Sequence, residues 1–320
     1  MTIVTLQVRL QSIAKEADEI ASFELAAFDG RDLPPFAAGA HVDVHLPGGL
    51  VRQYSLCNPP SERHRYVVAV LREAGGRGGS LAMHDSLHVG DVLTISEPQN
   101  HFPLHEEARR HLLIAGGIGV TPLLAMVHRL NAIGADYELH YCTRIAEKTA
   151  FRAVLNRIAS ERVHYHHDGG DPGKGVDLTK LLWTHEMGTH LYCCGPAGLM
   201  AAVKTASGHW PVGTVHFEFF APPPAAPAGQ AAADGSFEIK LAASGESFVV
   251  PADKTILQVL RDHGYDLDSS CESGTCGTCM TALVEGEPDH RDFVLDDDQR
   301  QSHIMVCVSR AKSATLVLDL

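Results

Sequence analysis

The sequence predicts a multidomain protein in which an antiparallel β-barrel, a doubly wound α/β domain and a small cysteine-bearing domain follow one another. Three observations support this fold class. The first hundred residues contain short apolar runs separated by glycine and proline, which is typical of an antiparallel barrel or sandwich. From His111 onward strand-like and helix-like segments alternate, which indicates a parallel sheet covered by helices. A segment rich in proline and alanine then precedes four cysteines.

The strands of the barrel are predicted from five runs with strand-like composition. These runs are 5–10, 22–27, 40–46, 66–71 and 91–96. Gly and Pro residues between them supply the turns that antiparallel neighbours need.

Two segments of the barrel carry groups suited to a phosphate-bearing ring compound. The first is a strand that ends at Leu56, in which Arg52, Tyr54 and Ser55 offer a cation, an aromatic face and a hydroxyl. The second is a glycine nest that opens a helical stretch and so has the geometry of an anion site. Its residues are Gly76, Arg77, Gly78, Gly79 and Ser80. Ordinary strand residues and a flexible hairpin loop are the alternatives.

The α/β domain is predicted from a strand at 111–115, a helix at 122–133, a strand at 137–142 and a helix at 149–158. A glycine turn joins the first strand to the first helix, where backbone N–H groups and the helix dipole can meet a pyrophosphate. The residues of interest in this turn are Gly116, Gly117, Gly119, Thr121 and Pro122. The turn departs from G-x-G-x-x-G, and a plain tight connection is the alternative.

A second turn of the same kind follows the apolar run that ends at Cys194. Gly195 and Pro196 form this turn, and a helical stretch comes directly after it. Two such turns at strand ends of one sheet are where a dinucleotide would lie.

The four cysteines of the last domain have the spacing of a plant-type [2Fe-2S] ferredoxin, which is an α+β fold. Cys271, Cys276 and Cys279 share one loop, and Cys307 follows after a gap of 27 residues. Glycines inside the loop allow the sharp fold that three thiolates around one cluster require. A structural zinc site is the alternative, but zinc sites usually combine two short knuckles.

Composition excludes several other classes of protein. The formal net charge of −13 disfavours nucleic-acid binding, and the absence of a secretory or membrane-spanning pattern predicts a cytoplasmic protein without a membrane partner. Residues 235–320 contain 15 acidic against 7 basic residues. The acidic surface of this domain is either an ordinary solvated surface or a docking face for a basic redox partner.

His164, His166 and His167 are expected to be surface or core residues rather than metal ligands.

In this order the segments resemble the phthalate dioxygenase reductase family of single-chain reductases, which includes vanillate demethylase reductase components. The resemblance implies an FMN-binding barrel at 1–106, an NAD-binding domain at 107–221, a linker at 222–235 and a [2Fe-2S] ferredoxin domain at 236–320. Arg52 and the loop at 76–80 would hold the FMN phosphate, while Tyr54 and Ser55 would meet the isoalloxazine ring. Ser55 would supply a hydrogen bond near flavin N5. The short loop favours FMN over FAD.

The resemblance also implies where NAD binds. The glycine turn and the Cys194–Gly195–Pro196 turn would flank the pyrophosphate and the nicotinamide. Phe220 would shield the flavin where nicotinamide docks, although Phe219 is the other candidate for this position.

The implied function is an NADH-dependent reductase that passes electrons through FMN and the cluster to a separate Rieske oxygenase acting on an aromatic or related substrate. A cytochrome P450 as acceptor and a plain electron carrier with vestigial nucleotide sites are the alternatives. A monomer is compatible with the sequence. Arg144 and Lys148 follow the second strand of the NAD domain and could hold the 2′-phosphate of NADPH, but Glu147 lies between them, and the resemblance favours NADH.

Overall fold

The computed structural model describes residues 4–220, 235–269, 271–275, 277–295 and 298–320. The chain divides into two compact units, Val4–Glu218 and Phe219–Leu320. The linker predicted at 222–235 lies outside the described residues, apart from Gly235. The multidomain architecture predicted from the sequence is confirmed by the sheets of the two units.

The first sheet has six strands, and every neighbouring pair in it is antiparallel. Its strand order is β4-β3-β6-β1-β2-β5. An antiparallel bridge between Leu56 and Val68 joins the two outer strands, so the sheet closes into a barrel. The strands are β1 (Thr5–Ala17), β2 (Ile20–Ala27), β3 (His41–Leu46), β4 (Leu50–Ser55), β5 (Tyr66–Leu71) and β6 (Val92–Ser96), and helix α1 (Gly79–Asp85) follows β5.

The second sheet is parallel and has helices between its strands, as the alternating pattern predicts. Its order is β11-β10-β7-β8-β9, so the strand order reverses between β7 and β10. A reversal of this kind opens a crevice beyond the carboxyl ends of the strands. The elements are β7 (Arg110–Gly116), α2 (Val120–Ile133), β8 (Tyr137–Thr143), α3 (Arg152–Ala159), β9 (Val163–His167), α4 (Leu178–Leu181), β10 (Thr189–Cys194), α5 (Ala197–Ala206) and β11 (Val215–Glu218).

The C-terminal unit is built on a mixed five-stranded sheet of order β13-β12-β18-β14-β16. Only β12 and β18 run parallel in it. A Thr255–Gln258 capping box begins its helix, which satisfies backbone N–H groups of the first turn. The elements are β12 (Phe237–Leu241), β13 (Ser247–Val250), α6 (Ile256–Asp262), β14 (Met280–Glu285), β15 (Pro288–Asp289), β16 (His303–Met305), β17 (Arg310–Ala311) and β18 (Thr315–Leu318).

The barrel and the parallel sheet share one hydrophobic core. Ala17, Ile20 and Ala38 of the barrel belong to the same buried cluster as the apolar face of α2. Burial of a common apolar surface explains why the two sheets form one compact unit. The domain boundary proposed at 106 and 107 falls between the end of β6 and the start of β7. Among the helices described, none is long and apolar enough to span a bilayer.

Candidate functional site

The structure brings Arg52 on β4 against the first turn of α1. A Cβ atom at Gly79 would lie 2.3 Å from Cγ of Arg52, so only glycine leaves room for this side chain. The Arg52 guanidinium donates hydrogen bonds to the carbonyls of Arg77 at 2.6 Å and Val51 at 2.7 Å. The two segments singled out in the barrel therefore form one basic cradle at a helix start, which fits a phosphate group.

The remaining loop residues shape this cradle. Ser80 Oγ accepts a hydrogen bond from the Glu73 N–H at 3.1 Å and lies 3.3 Å from the Glu73 carbonyl, to which it can donate. Gly78 has a φ of 80°, a left-handed conformation that favours glycine. Gly76 lies next to the same turn, with the Glu73 carbonyl 3.4 Å from its ideal Cβ position. Ser80 thus closes the loop on itself, which orders the start of α1.

Tyr54 supplies the clearest sign that the barrel holds a bound molecule. Its hydroxyl is buried and has no hydrogen-bond partner within residues 4–220, and burial raises the pKa of this phenol. A buried polar group without a partner is costly, so a ligand that supplies the partner is expected there. Ser55 and Leu56 are buried beside it, with exposures of 5% and 0%. This arrangement fits a ring compound against the end of β4.

Replacing Arg52 by Ala is expected to weaken FMN retention by roughly 1.5 to 3 kcal/mol, because a charge-assisted contact to the phosphate is lost. Flavin released on gel filtration and fluorescence titration of the apoprotein measure this effect. Arg31→Ala is the matched control, since Arg31 is an exposed arginine of the loop after β2 whose guanidinium pairs with neighbouring Asp29. Unchanged retention in Arg52→Ala, or release of FAD instead of FMN, would contradict the assignment.

The two glycine-containing turns of the parallel sheet pack directly on each other at the strand-order reversal. A Cβ at Gly119 would lie 2.2 Å from the carbonyl oxygen of Cys194, and one at Gly116 would lie 2.6 Å from Pro196 Cδ. A Cβ at Gly195 would lie 2.9 Å from Gly116 Cα. These glycines are therefore required for the close approach of the two turns.

Other residues of the first turn have different environments. Gly117 has a φ of 54°, and nothing lies within 4 Å of its ideal Cβ position, so it faces open space where a ligand can approach. The Tyr141 hydroxyl donates to the Gly117 carbonyl at 3.0 Å, which fixes the turn. Thr121 Oγ1 donates to the Ile118 carbonyl at 3.1 Å, and Pro122 is buried. Thr121 and Pro122 thus shape the turn, while Gly117 borders the crevice.

Glu218 is a residue that the sequence analysis passed over. It is paired in register with Cys194 at the carboxyl ends of β11 and β10. Burial raises the pKa of its carboxyl group to about 8, and burial, followed by the charge of Glu218, raises the pKa of the Cys194 thiol. A carboxyl group that keeps its proton near neutral pH thus lies beside the crevice. The only sequence signal was its place directly before the two phenylalanines.

Replacing Glu218 by Gln is expected to stabilise the Val4–Glu218 unit more at about pH 8.5 than at about pH 6. The folded chain binds more protons than the unfolded chain between the ordinary pKa of 4.5 and the raised value of about 8. Wild-type stability therefore falls as the pH rises through this window, and glutamine removes the dependence. Thermal unfolding of wild type and Glu218→Gln at the two pH values measures the gain in stability. An equal gain at both pH values would contradict the prediction.

Three of the predicted cluster cysteines are described, and all three are buried. Cys271, Cys279 and Cys307 have exposures of 9%, 3% and 3%, whereas Cys276 lies outside the described residues. The sulfur of Cys271 accepts backbone N–H groups of Ser273 at 3.4 Å and Thr275 at 3.5 Å. Hydrogen bonds of this kind stabilise thiolate ligands and tune a cluster's potential.

The backbone of the cysteine loop folds sharply, as the sequence analysis expected. Gly274 and Gly277 have φ values of 73° and 79°, and Glu272 has one of 47°. The Val306 N–H donates to the Cys279 carbonyl at 3.4 Å, so the residue preceding Cys307 lies against the loop. The donor set of buried sulfurs and backbone N–H groups fits a [2Fe-2S] cluster.

Arg144 and Phe220 make fewer contacts that would indicate a binding role than the other candidate residues. Arg144 is exposed in the turn after β8, whereas nearby Lys148 forms an ion pair of 2.8 Å with Glu19 of the barrel. Phe220 is 43% exposed, and the ring of Phe219 lies 5.3 Å from that of Phe293. A role for Phe220 at a flavin remains a prediction.

Two family models match parts of the chain. The model of the 2Fe-2S iron-sulfur cluster binding domain matches residues 239–312, which include Cys271, Cys279 and Cys307. The model of the N-terminal domain of dimethylamine monooxygenase subunit DmmA-like proteins matches residues 96–213, which include the parallel sheet except β11.

Two curated relatives match the chain over nearly its whole length. Phthalate dioxygenase reductase of Burkholderia cepacia is 48% identical over 320 residues, covering 98% of this chain and 97% of the relative. The tert-butanol monooxygenase / tert-amyl alcohol desaturase reductase subunit of Aquincola tertiaricarbonis is 47% identical over 323 residues, covering 98% and 96%.

Two solved structures show the same architecture. One is phthalate dioxygenase reductase, described as a modular structure for electron transfer from pyridine nucleotides to [2Fe-2S]; it has a TM-score of 0.73, 48% identity and coverage of 99% of this chain and 98% of its own. The other is an intact type IV self-sufficient cytochrome P450 monooxygenase, with a TM-score of 0.90, 39% identity and coverage of 99% of this chain and 41% of its own.

Proposed function

This chain belongs to the phthalate dioxygenase reductase family, and on that basis we propose that it is an oxidoreductase that supplies electrons from NADH to a separate oxygenase. The observation that carries the proposal is the cysteine loop, in which buried thiols and backbone N–H groups come together within the region matched by the 2Fe-2S family model. The basic cradle of the barrel and the crevice of the parallel sheet support sites for FMN and NADH in the same chain.

The chemistry of such an enzyme comes from its bound groups. Nicotinamide gives up two electrons together, and a [2Fe-2S] cluster accepts one at a time. A flavin can accept two electrons and pass them on singly. The protein supplies the residues that bind and orient these groups. Arg52 and the start of α1 would hold the phosphate of a bound flavin nucleotide, and the unpartnered Tyr54 hydroxyl would bond to its ring system. Gly117 leaves space for the nucleotide, and Glu218 keeps a proton near the strand ends. The Cys271 loop holds the cluster with N–H groups directed at sulfur.

Anaerobic titration of the purified chain with NADH tests this function. We expect flavin absorbance to bleach and the electron paramagnetic resonance signal of a reduced [2Fe-2S] cluster to develop with less than a few equivalents of NADH. A chain that contains the cluster but is not reduced by NADH would be an electron carrier instead, and the proposal would be wrong.

The acceptor we propose is a Rieske oxygenase that docks near the acidic C-terminal unit. Residues 235–320 carry 15 acidic and 7 basic residues, which favours a basic partner surface. Met280 directly follows Cys279 and is 41% exposed, and Phe293, whose N–H donates to the Gly274 carbonyl at 2.9 Å, is 40% exposed. Exposed apolar side chains next to the cysteine loop, in a domain with an excess of acidic residues, suit a transient redox contact.

A cytochrome P450 is the second candidate acceptor. The observation that favours it is the TM-score of 0.90 to part of a self-sufficient P450 monooxygenase. Electron delivery to purified Rieske oxygenases and to P450 enzymes, measured as NADH-dependent product formation, separates the two candidates. Turnover only with a P450 would overturn the preferred acceptor and leave the reductase activity intact.

NADH is expected to have the higher specificity constant of the two coenzymes. Arg144 and Lys148 are the candidate partners for a 2′-phosphate in the turn after β8, and Lys148 is already paired with Glu19. Steady-state kinetics with both coenzymes measure the preference, and Arg144→Ala should lower only the residual NADPH activity. A higher specificity constant for NADPH would contradict this expectation and identify Arg144 as the phosphate contact.

A further inference from the structure

A second cluster of potential ligands lies within the parallel sheet, away from the glycine turns. Glu138 and His140 are on β8, and His164 is on the neighbouring strand β9, opposite His140 in the register. One oxygen or nitrogen from each of the three side chains lies within 4.8 Å of the others. From the sequence alone His164 is expected to be an ordinary surface or core residue, because the pairing of β8 with β9 is not visible in the sequence.

The distances suit a metal ion. Glu138 Oε1 lies 3.5 Å from His164 Nε2. Two ligands bound to Zn²⁺ at about 2.0 to 2.2 Å in tetrahedral geometry are separated by about 3.3 to 3.6 Å. The ligand atom of His140 lies within 4.8 Å of the other two, and a water molecule can take the fourth position.

His140 is hydrogen-bonded at one ring nitrogen, while its other ring nitrogen has no partner in the described residues. Its Nδ1 is 3.0 Å from His166 Nε2, while its Nε2 is buried and has no hydrogen-bond partner anywhere in the described sequence 4–220. A histidine ligand is commonly oriented by a hydrogen bond at its other nitrogen.

The surrounding charge also favours a cation. Arg110 contacts the carboxylates of Glu138 at 2.7 Å, Glu186 at 3.3 Å and Asp136 at 3.8 Å. Three carboxylates against one guanidinium leave a local charge of −2. The contact with Arg110 also holds Glu138 in place and leaves its other oxygen directed at His164.

A rival cluster in the same sheet lacks these features. His105, His190 and His216 also lie within reach of one ion. Two of these rings already bond each other, with His190 Nδ1 2.9 Å from His216 Nε2. The group contains no carboxylate, so it offers weaker attraction for a divalent ion.

We propose that Glu138, His140 and His164 bind a divalent transition metal, with Zn²⁺ as the ion that imidazole and carboxylate ligands suit best. The ion joins β9, which pairs only with β8 among the described strands, to its neighbour through side chains. It therefore stabilises the outer edge of the sheet. The site is separate from the electron-transfer groups and does not depend on the proposed function.

Equilibrium dialysis of the full-length, cofactor-loaded protein against ZnCl₂, with zinc and iron measured by elemental analysis, tests the site. We expect wild-type protein to bind one zinc per chain more than His164→Gln, with unchanged iron. His164 suits this test because its side chain is 43% exposed, so its replacement should not prevent folding. Affinity should fall at least about tenfold in His164→Gln, and zinc should raise the thermal unfolding midpoint of wild type only.

Glu138→Gln is the second variant, and His216→Gln is the matched control in the rival cluster. Loss of zinc binding in Glu138→Gln, with retention in His216→Gln, supports the proposal. Wild-type binding in both His164→Gln and Glu138→Gln would overturn it. So would the absence of zinc binding by wild type with full iron content, or loss of the zinc in His216→Gln.

Discussion

Replacing Cys307 by Ser is expected to lower NADH-driven reduction of cytochrome c at least about 100-fold, because a [2Fe-2S] cluster requires all four thiolates. Reduction of ferricyanide should remain within a few-fold of wild type, since ferricyanide can take electrons directly from a flavin. The cysteine loop belongs to the Phe219–Leu320 unit, whereas the cradle and the crevice belong to Val4–Glu218. Loss of the cluster should therefore leave hydride acceptance intact.

Cys57→Ser is the matched control for this variant. Cys57 is as buried as Cys307, at 2% against 3% exposure, and its thiol donates to the Val67 carbonyl at 3.2 Å, a bond that a hydroxyl can keep. Iron content and both reductase activities should be retained in the control. Equal loss of cytochrome c and ferricyanide reduction in Cys307→Ser would refute the division of roles between the two units.

Replacing Gly119 by Ala is expected to slow reduction by NADH by about 100-fold, the effect of displacing reacting groups by about 1 Å. The added Cβ would lie 2.2 Å from the Cys194 carbonyl oxygen and 2.7 Å from the Gly195 nitrogen. Both atoms belong to the backbone and cannot rotate away, so the two turns must separate. The misfit should also cost about 1 to 3 kcal/mol of stability.

Rapid-mixing measurements of flavin bleaching by NADH give this rate, and the flavin content shows whether the barrel is intact. Gly208→Ala is the control, because its nearest neighbour outside the chain-adjacent residues is a carbonyl at 3.5 Å, an ordinary contact. Wild-type rates in Gly119→Ala would mean that the packing of the two turns does not position the nucleotide.

Much of the fold and of the candidate site was predictable because it is encoded locally. The spacing of Cys271, Cys279 and Cys307 indicates that one loop and one distant turn, which follows β16, supply the ligands of a cluster. Glycines in the turn from Gly116 to Gly119 report a backbone that must approach another group closely. The alternation of strand and helix after His111 predicts a parallel sheet, since parallel neighbours need a crossover. The family resemblance was carried by the same short segments.

Contacts between strands could not be predicted in this way, since they depend on strand order and register. The sequence marks Gly119 as special, but only the fold shows that Cys194 is the group it must approach. Glu218 becomes a proton-holding group because β11 places it beside Cys194 at the carboxyl ends of the strands, where burial raises the pKa of its carboxyl group. Lys148 is already engaged in an ion pair with Glu19, which is 129 residues away in the chain, so it is a weaker candidate for contacting the coenzyme's 2′-phosphate.

The sequence by itself therefore determined the candidate cofactor-binding loops, because each is a short segment whose residue types and spacing carry the chemistry. The tertiary structure decided which side chains share an environment. Glu138 and His164 lie 3.5 Å apart only because β8 pairs with β9 in one register, and a shift of one residue would place their side chains on opposite faces of the sheet. Burial, which raises the pKa of Glu218, likewise exists only after the sheets have packed.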